Sequence, residues 1–189
     1  MIAGVSGVDR GANLLGALSL VVADRTTDAI AGAAGQSATA AAALSALNDF
    51  LDRPTIDLLG QVLGLTSSGT VRLVDRLQDA AYVRRQPGGD GRSTVVVLTA
   101  SGRRAAKRVA AARAAVLDGA LAALAPGERR TLEELVSRLL AGMVRGPGAV
   151  RWMCRLCDTT ACGREVGACP AADAAQRRER NLSGGPGRR

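Results

Sequence analysis

Residues 63–77 read Leu63-Gly-Leu-Thr-Ser-Ser-Gly-Thr-Val-Arg-Leu-Val-Asp-Arg-Leu77, and this stretch decides the fold. Gly64 supplies the left-handed residue that closes one helix, and Thr66 supplies the side-chain acceptor that opens the next. Upstream, Asp57 is expected to cap a short helix through Leu63, and downstream the second helix runs to about Ala80. Two helices therefore meet at a tight corner across Gly64-Leu65. Gly60 sits where they would pinch, and Leu59, Leu63, Leu65, Val74 and Leu77 fill the shared core. Ser67, Ser68 and Thr70 fall in the first turn of the second helix, where small polar side chains and unpaired N–H groups suit an anionic partner. Arg72 and Arg76 recur at i, i+4 on one face, within reach of the bases or phosphates of a DNA duplex.

The segment that follows reads as a β-hairpin. Tyr82–Gln86 and Ser93–Leu98, the latter with the β-branched run Thr94, Val95, Val96 and Val97, flank the turn Pro87-Gly88-Gly89-Asp90-Gly91. A basic strand, a Gly-rich turn bearing Asp90 and Arg92, and a β-branched strand make the wing of a winged helix, whose tip can place an arginine in a narrow minor groove. Further outward lie helices over residues 12–33 and Ser37–Leu51, the second stopped by Arg53-Pro54. Thr99 caps a long helix to about Leu124, and Pro126 opens another in which Leu132, Leu135, Val136, Leu139, Leu140 and Met143 form one apolar stripe. Arg103, Arg104, Lys107 and Arg108 line one face of the long helix and read as its solvated side.

Order, spacing and wing together resemble the MarR family of winged-helix transcription regulators. The residues that carry the likeness are Leu63–Leu77, Val83-Arg-Arg, Asp90-Gly-Arg92 and Leu98-Thr-Ala-Ser-Gly102. The resemblance implies a mainly α fold with a small β-hairpin wing: a winged helix-turn-helix lobe at about 54–100, inside a unit of 1–148 with a helical dimerisation stem. It implies a homodimer whose interface comes from the first helix and the two after Thr99, binding a palindromic operator in double-stranded DNA, more as a repressor than an activator. By position, the DNA contacts fall on Ser67, Ser68, Thr70, Arg72 and Arg76, with Arg92 at the wing oriented by Asp90. It further implies a small-molecule effector, although the scarcity of aromatic residues leaves no pocket that can be named. One departure stands out. The family commonly has glycine between recognition helix and wing, and this chain has Ala81, which tolerates a left-handed conformation poorly.

Composition is consistent with this reading and narrows it. The 189 residues allow one domain of ordinary size with a small appendage, and 47% apolar residues allow a buried core. Aromatic residues make up only 2%, so the core is built from Ala, Leu and Val, which favours close-packed helices. The absence of histidine removes Ser-His-Asp and Cys-His catalysis, and no enzyme is expected. The formal charge is +8 and Lys107 is the only lysine, so the cations are arginines, whose planar fork suits phosphate and guanine. An Ala, Gly and Arg bias also accompanies a GC-rich genome, so placement carries more weight than number. No apolar run reaches the roughly 18 residues of a membrane span. The best run, Ala12–Ala23, is flanked by Asp9 and by Asp24-Arg25 and reads as an amphipathic helix; a cytoplasmic location is expected.

All four cysteines fall in residues 151–170. Cys154, Cys157, Cys162 and Cys169 are separated by two, four and six residues, and Pro170 closes the series. Four thiolates in that span can wrap a tetrahedral zinc ion, with net charge −2 that Arg151, Arg155 and Arg164 would offset. An iron–sulfur cluster takes the same ligands, and metal-free thiols with a Cys154/Cys157 redox pair are the third reading. The pattern also resembles a C-terminal extension carried by some high-GC bacterial members of the family. Residues 171–189 are polar, basic and Gly/Pro-containing, and are expected to form a disordered tail. The expectation overall is a sequence-specific DNA-binding regulator responsive to a small ligand, metal or redox state. The competing reading is a metal-dependent protein interaction module that uses the winged helix as scaffold.

Overall fold

The computed structural model describes residues 7–89 and 91–183. Helix α1 (Arg10–Ala34) opens on Asp9, whose carboxylate accepts from the N–H groups of Gly11 and Ala12, and closes at Gly35 in the left-handed region at φ 61°. Helix α2 (Ala38–Asp49) is capped by Ser37 and buries Ala40–Ala43, Leu44, Ala46 and Leu47. Its alanine-rich surface lets α1 and helix α5 (Ala100–Leu121) pack closely on it. The last carbonyls of α1 are satisfied from outside the helix: Arg108 Nε donates to Ala33 O at 3.1 Å and Tyr82 Oη to Ala34 O at 3.1 Å.

Helix α3 (Ile56–Leu63) and helix α4 (Ser67–Asp79) form the corner read from the sequence. The cap of α3 is Thr55, two residues before the Asp57 expected to supply it, with Oγ1 accepting from Leu58 N–H at 3.2 Å. Asp57 lies instead in the first turn, where its charge complements the helix dipole. Gly64 takes the left-handed conformation at φ 67° and Thr66 Oγ1 accepts from Gly69 N–H at 3.2 Å, as expected of both. Strands β1 (Val83–Pro87) and β2 (Thr94–Leu98) pair antiparallel with Val83 opposite Leu98, each starting one residue later than the sequence suggested. Thr55 bridges to Val95, and Val96 N–H donates to Pro54 O at 2.9 Å, so the chain entering α3 is tied to the wing.

The start of α5 is held by a close approach. Thr99 caps it, and a Cβ at Gly102 would lie 1.9 Å from Tyr82 O, so only glycine lets the helix cross the turn between α4 and β1. Helix α6 (Pro126–Met143) starts on Pro126 as read, with Glu128 accepting from Ala125 N–H at 2.8 Å, and buries none of its residues. The main core joins Ile30, Leu44, Leu59, Leu73, Leu77, Val96 and Val109 across α1–α5 and the hairpin. No single helix among the described residues is long and apolar enough to cross a membrane.

The C-terminal segment departs from expectation. Helix α7 (Pro147–Met153) follows Gly146, and helix α8 (Pro170–Ser183) occupies much of the stretch expected to be a disordered tail. Proline begins α8, and Ala171, Ala174 and Ala175 bury one narrow face of it at i, i+3 and i+4 while its arginines stay outside. Asp173 and Arg177 pair on the outer surface. Residues 184–189 of the expected tail lie outside the described residues.

Candidate nucleic-acid interface

Helix α4 has two faces with different chemistry. Leu73, Val74 and Leu77 are buried, whereas Ser67, Ser68, Arg72 and Arg76 are exposed. Arg72 and Arg76 line an open groove of about 760 Å³ together with Ser37, Thr39, Leu65 and Asp75. The N–H groups of Ser67 and Ser68 precede the first intrahelical bond, so the N-terminus of α4 presents donors beside two exposed hydroxyls.

Thr70 does not belong with these residues. It is 0% exposed, its Oγ1 donates to Thr66 O at 2.9 Å, and a Cβ at Gly60 would fall 2.6 Å from that same oxygen. Thr70 and Gly60 are thus the two sides of the α3–α4 crossing, and the expected DNA contact at Thr70 is corrected to a packing role. The reason is rotational: Thr70 lies three, four and seven residues before Leu73, Val74 and Leu77, on the buried face.

The wing is fixed relative to α4 by side chains that sequence reading missed. Arg85 of β1 reaches back to Asp75 at 2.6 Å and to Gln78 Oε1 at 3.2 Å, both on α4. Arg53 donates to Gln86 Oε1 at 2.7 Å from the other side. Arg85 is half-buried on β1, and its partners on α4 are not local in sequence. Arg92 is exposed in the bend two residues before β2. Asp90, expected to orient it, lies outside the described residues.

Ala81 carries the conformation its position demands. It sits at φ 58°, and Tyr82 N–H closes on Leu77 O at 2.8 Å, so α4 ends in the reversal that glycine usually makes. Ser101 Oγ and Thr99 Oγ1 donate to Ala81 O at 2.6 and 2.7 Å, holding the strained residue in place. Arg103, Arg104, Lys107 and Arg108 are exposed on α5, as their spacing indicated.

The four cysteines gather in a second, smaller cluster. Cys154 and Cys169 are buried in it with Val144, Val150, Ala171, Ala174 and Ala175, and Cys157 and Cys162 pack against them. All four thiols are free. Cys154 lies beside Cys157 and Cys162 beside Cys169, while Cys162 Sγ donates to Thr159 O at 3.4 Å and Cys157 Sγ to Met153 O at 4.0 Å. Among the described residues no three Cys, Asp or Glu side chains are arranged to hold an ion as they stand. The hydrogen bond from Cys154 draws the Cys157 thiol down to about 6; burial opposes this, and Arg113, Arg164 and Arg155 reinforce it. The same bond, together with burial, pushes Cys154 up. Burial pushes Cys162 up as well. Arg164 Nη1 is buried with no hydrogen-bond acceptor.

Comparison with known proteins places the lobe. Residues 35–93 match the model of the MarR family. A MarR-family transcriptional regulator from Silicibacter pomeroyi superposes with TM-score 0.53 at 28% identity, covering 67% of this chain and 87% of its own. A probable transcriptional regulator from Pseudomonas aeruginosa gives 0.52 at 26% identity, covering 66% of this chain and 96% of its own. CouR from Rhodococcus jostii RHA1, solved bound to p-coumaroyl-CoA, gives 0.52 at 19%, covering 69% of this chain and 91% of its own, and shares the fold. No curated protein matches the chain. The corner, the wing and the packing of α5 across them are those of a winged helix-turn-helix, and over residues 35–93 the chain is similar to the MarR family of transcription regulators.

Proposed function

We propose that the protein is a homodimeric repressor that reads a palindromic operator in double-stranded DNA through α4 and the wing. The observation that carries this is the division of α4, whose buried face is locked into the core while Ser67, Ser68, Arg72 and Arg76 stand outside beside an open groove. Arg92 extends the same basic surface onto the wing, where A·T-rich flanks would attract it. A dimer is supported by two apolar stripes uncovered in the single chain. Leu14, Leu15, Leu18 and Val21 of α1 and Leu135, Leu139 and Met143 of α6 are all exposed, and apolar stripes of this kind suit burial against a second copy. A protein that works on DNA is placed in the cytoplasm. The four cysteines are assigned to zinc, with an iron–sulfur cluster as alternative, and serve as the responsive element beside any small-molecule effector.

The test is a gel shift on the DNA flanking the gene. Specific binding is expected to survive competitor DNA and to weaken steeply with salt, since each phosphate neutralised releases counterions. Binding that competitor DNA abolishes would remove the regulator reading and favour a scaffold.

A further inference from the structure

The cysteine cluster lies at the end of α6, packed with Val144 and α8, and its first arm reaches the corner of the helix-turn-helix. The Cys154–Cys157 arm encloses Arg155 and Leu156 and follows Trp152, the only tryptophan of the chain. A Cβ at Gly64 would lie 3.5 Å from Trp152 Nε1, so the indole rests on the turn joining α3 to α4. Arg155 stacks on that indole at 4.3 Å from its centre, and Leu156 packs against the main core. A second tether comes from Thr159, whose Oγ1 donates to Asp49 O at the end of α2 at 3.3 Å. The cavity left between Ile30, Ala42, Leu63, Trp152 and Leu156 is about 200 Å³, below the roughly 300 Å³ of ordinary ligand pockets.

Two features of the module point to a missing anionic centre. Its core of two valines and three alanines besides the cysteines is too small to offset about 1–2 kcal/mol of ordering per residue over its length. Small folds with so little apolar burial are held by a metal or by disulfides, and here all four thiols are free. The second feature is Arg164 Nη1, buried without an acceptor beside Cys154 and Cys157, with Arg113 and Arg155 also near Cys157. A buried guanidinium nitrogen without an acceptor is costly, and four thiolates on a divalent ion carry the net negative charge that would satisfy it. The turn between Cys162 and Cys169 is built for return. Gly163 and Gly167 take φ 67° and 74°, and a Cβ at Gly163 would fall 2.8 Å from Ala168 Cβ, so the chain folds back to set Cys169 beside Cys162.

We propose that Cys154, Cys157, Cys162 and Cys169 hold a metal–thiolate centre that closes the two thiol pairs into one site, and that its loading seats Trp152 on the Gly64 corner and so sets the pose of α4. The coupling rests on the DNA-binding reading above; the metal site does not. Loaded protein binds operator well, and metal-free protein frees the arm and loosens the corner.

The test uses the full chain purified without oxygen. Elemental analysis, acid-labile sulfide and visible absorption distinguish a colourless zinc site from a brown iron–sulfur cluster, and near-stoichiometric loading of either kind is expected. Each of Cys154→Ser, Cys157→Ser, Cys162→Ser and Cys169→Ser should lose most of the metal. Chelation of the wild type should shift Trp152 emission and weaken binding to the flanking DNA about tenfold, with recovery on returning the metal. Trp152→Ala should keep its metal yet bind DNA with nearly equal affinity in both states. Thr159→Val, which leaves the indole and the thiols untouched, should shrink the difference and serves if the first variant does not fold. Trace metal only, full loading of all four serine variants, or unchanged emission and affinity after chelation would overturn the proposal. A protein that binds no DNA in either state defeats the regulator reading, and metal content with Trp152 emission then decides the site alone.

Discussion

The lobe and the C-terminal module are held together by different means. In the lobe, Leu44, Leu59, Leu73, Leu77 and Val96 are each at most 1% exposed, and every turn around them is closed by a cap. In the module the deepest side chains are Val144, Val150, two cysteines and three alanines. At roughly 25 cal/mol per Å² of apolar surface removed from water, large aliphatic side chains stabilise a fold where alanines contribute little. The lobe is therefore a platform that folds on its own apolar core, while the module's shape depends on what its thiols hold. A platform and a conditional element in contact are the minimum a switch requires.

The sharpest way to break that contrast is to empty both cores. Leu59→Ala should cost about 2–5 kcal/mol in urea unfolding of the whole lobe, because a buried leucine leaves a cavity that the corner cannot close. Val150→Ala should leave that transition in place and instead open residues 144–183 to protease. If both variants lower one shared transition equally, lobe and module are a single cooperative unit. Next in size is Leu139→Asp, placed on the α6 stripe at 51% exposure in the single chain. A charge buried in an apolar seam between copies should cost the dimer about 3 kcal/mol or more. Sedimentation that still reports a dimer would mean that the stripe does not face the partner copy.

Smaller effects probe the platform's surface. Arg72→Ala should weaken operator binding by about 1–3 kcal/mol with unchanged thermal stability, as expected for an exposed side chain that reads a base or phosphate. An equal loss on unrelated DNA would assign it to phosphate alone. The smallest change has the opposite sign. Ala81→Gly relieves a left-handed alanine, worth about 1–2 kcal/mol, but frees the unfolded chain by about 0.4–1 kcal/mol. The net gain is about 0.5–1 kcal/mol, readable as a higher melting midpoint.

These particulars show which features a sequence discloses. The corner was legible because its signals are local: Gly64 and Thr66 each act within three residues of themselves. Thr70 was misplaced although the information was present, since its spacing to Leu73, Val74 and Leu77 puts it on the core face; position in the first turn was weighted over rotation. Helix α8 was hidden by composition, because its buried face is three alanines within a run of arginines. The ties from Arg85 to Asp75, from Thr159 to Asp49 and from Trp152 to Gly64 join distant parts of the chain, and no periodicity announces such contacts.

The pairing of α1 with α5 has a consequence for synthesis. Arg108 reaches Ala33 across 75 positions of sequence, with α2–α4 and the hairpin all encoded between. At about 5–20 residues per second, α1 waits roughly 4–15 s on the ribosome before its partner emerges. The lobe's corner and hairpin join neighbouring elements and can form in that interval, on time scales far shorter than seconds. The nascent chain thus carries the corner and hairpin behind a helix whose core residues, Ile30 and Ala34, lack the cover that α5 supplies. Translation arrested before Leu121 would release that intermediate, and its bare helix makes it a substrate for chaperones and aggregation.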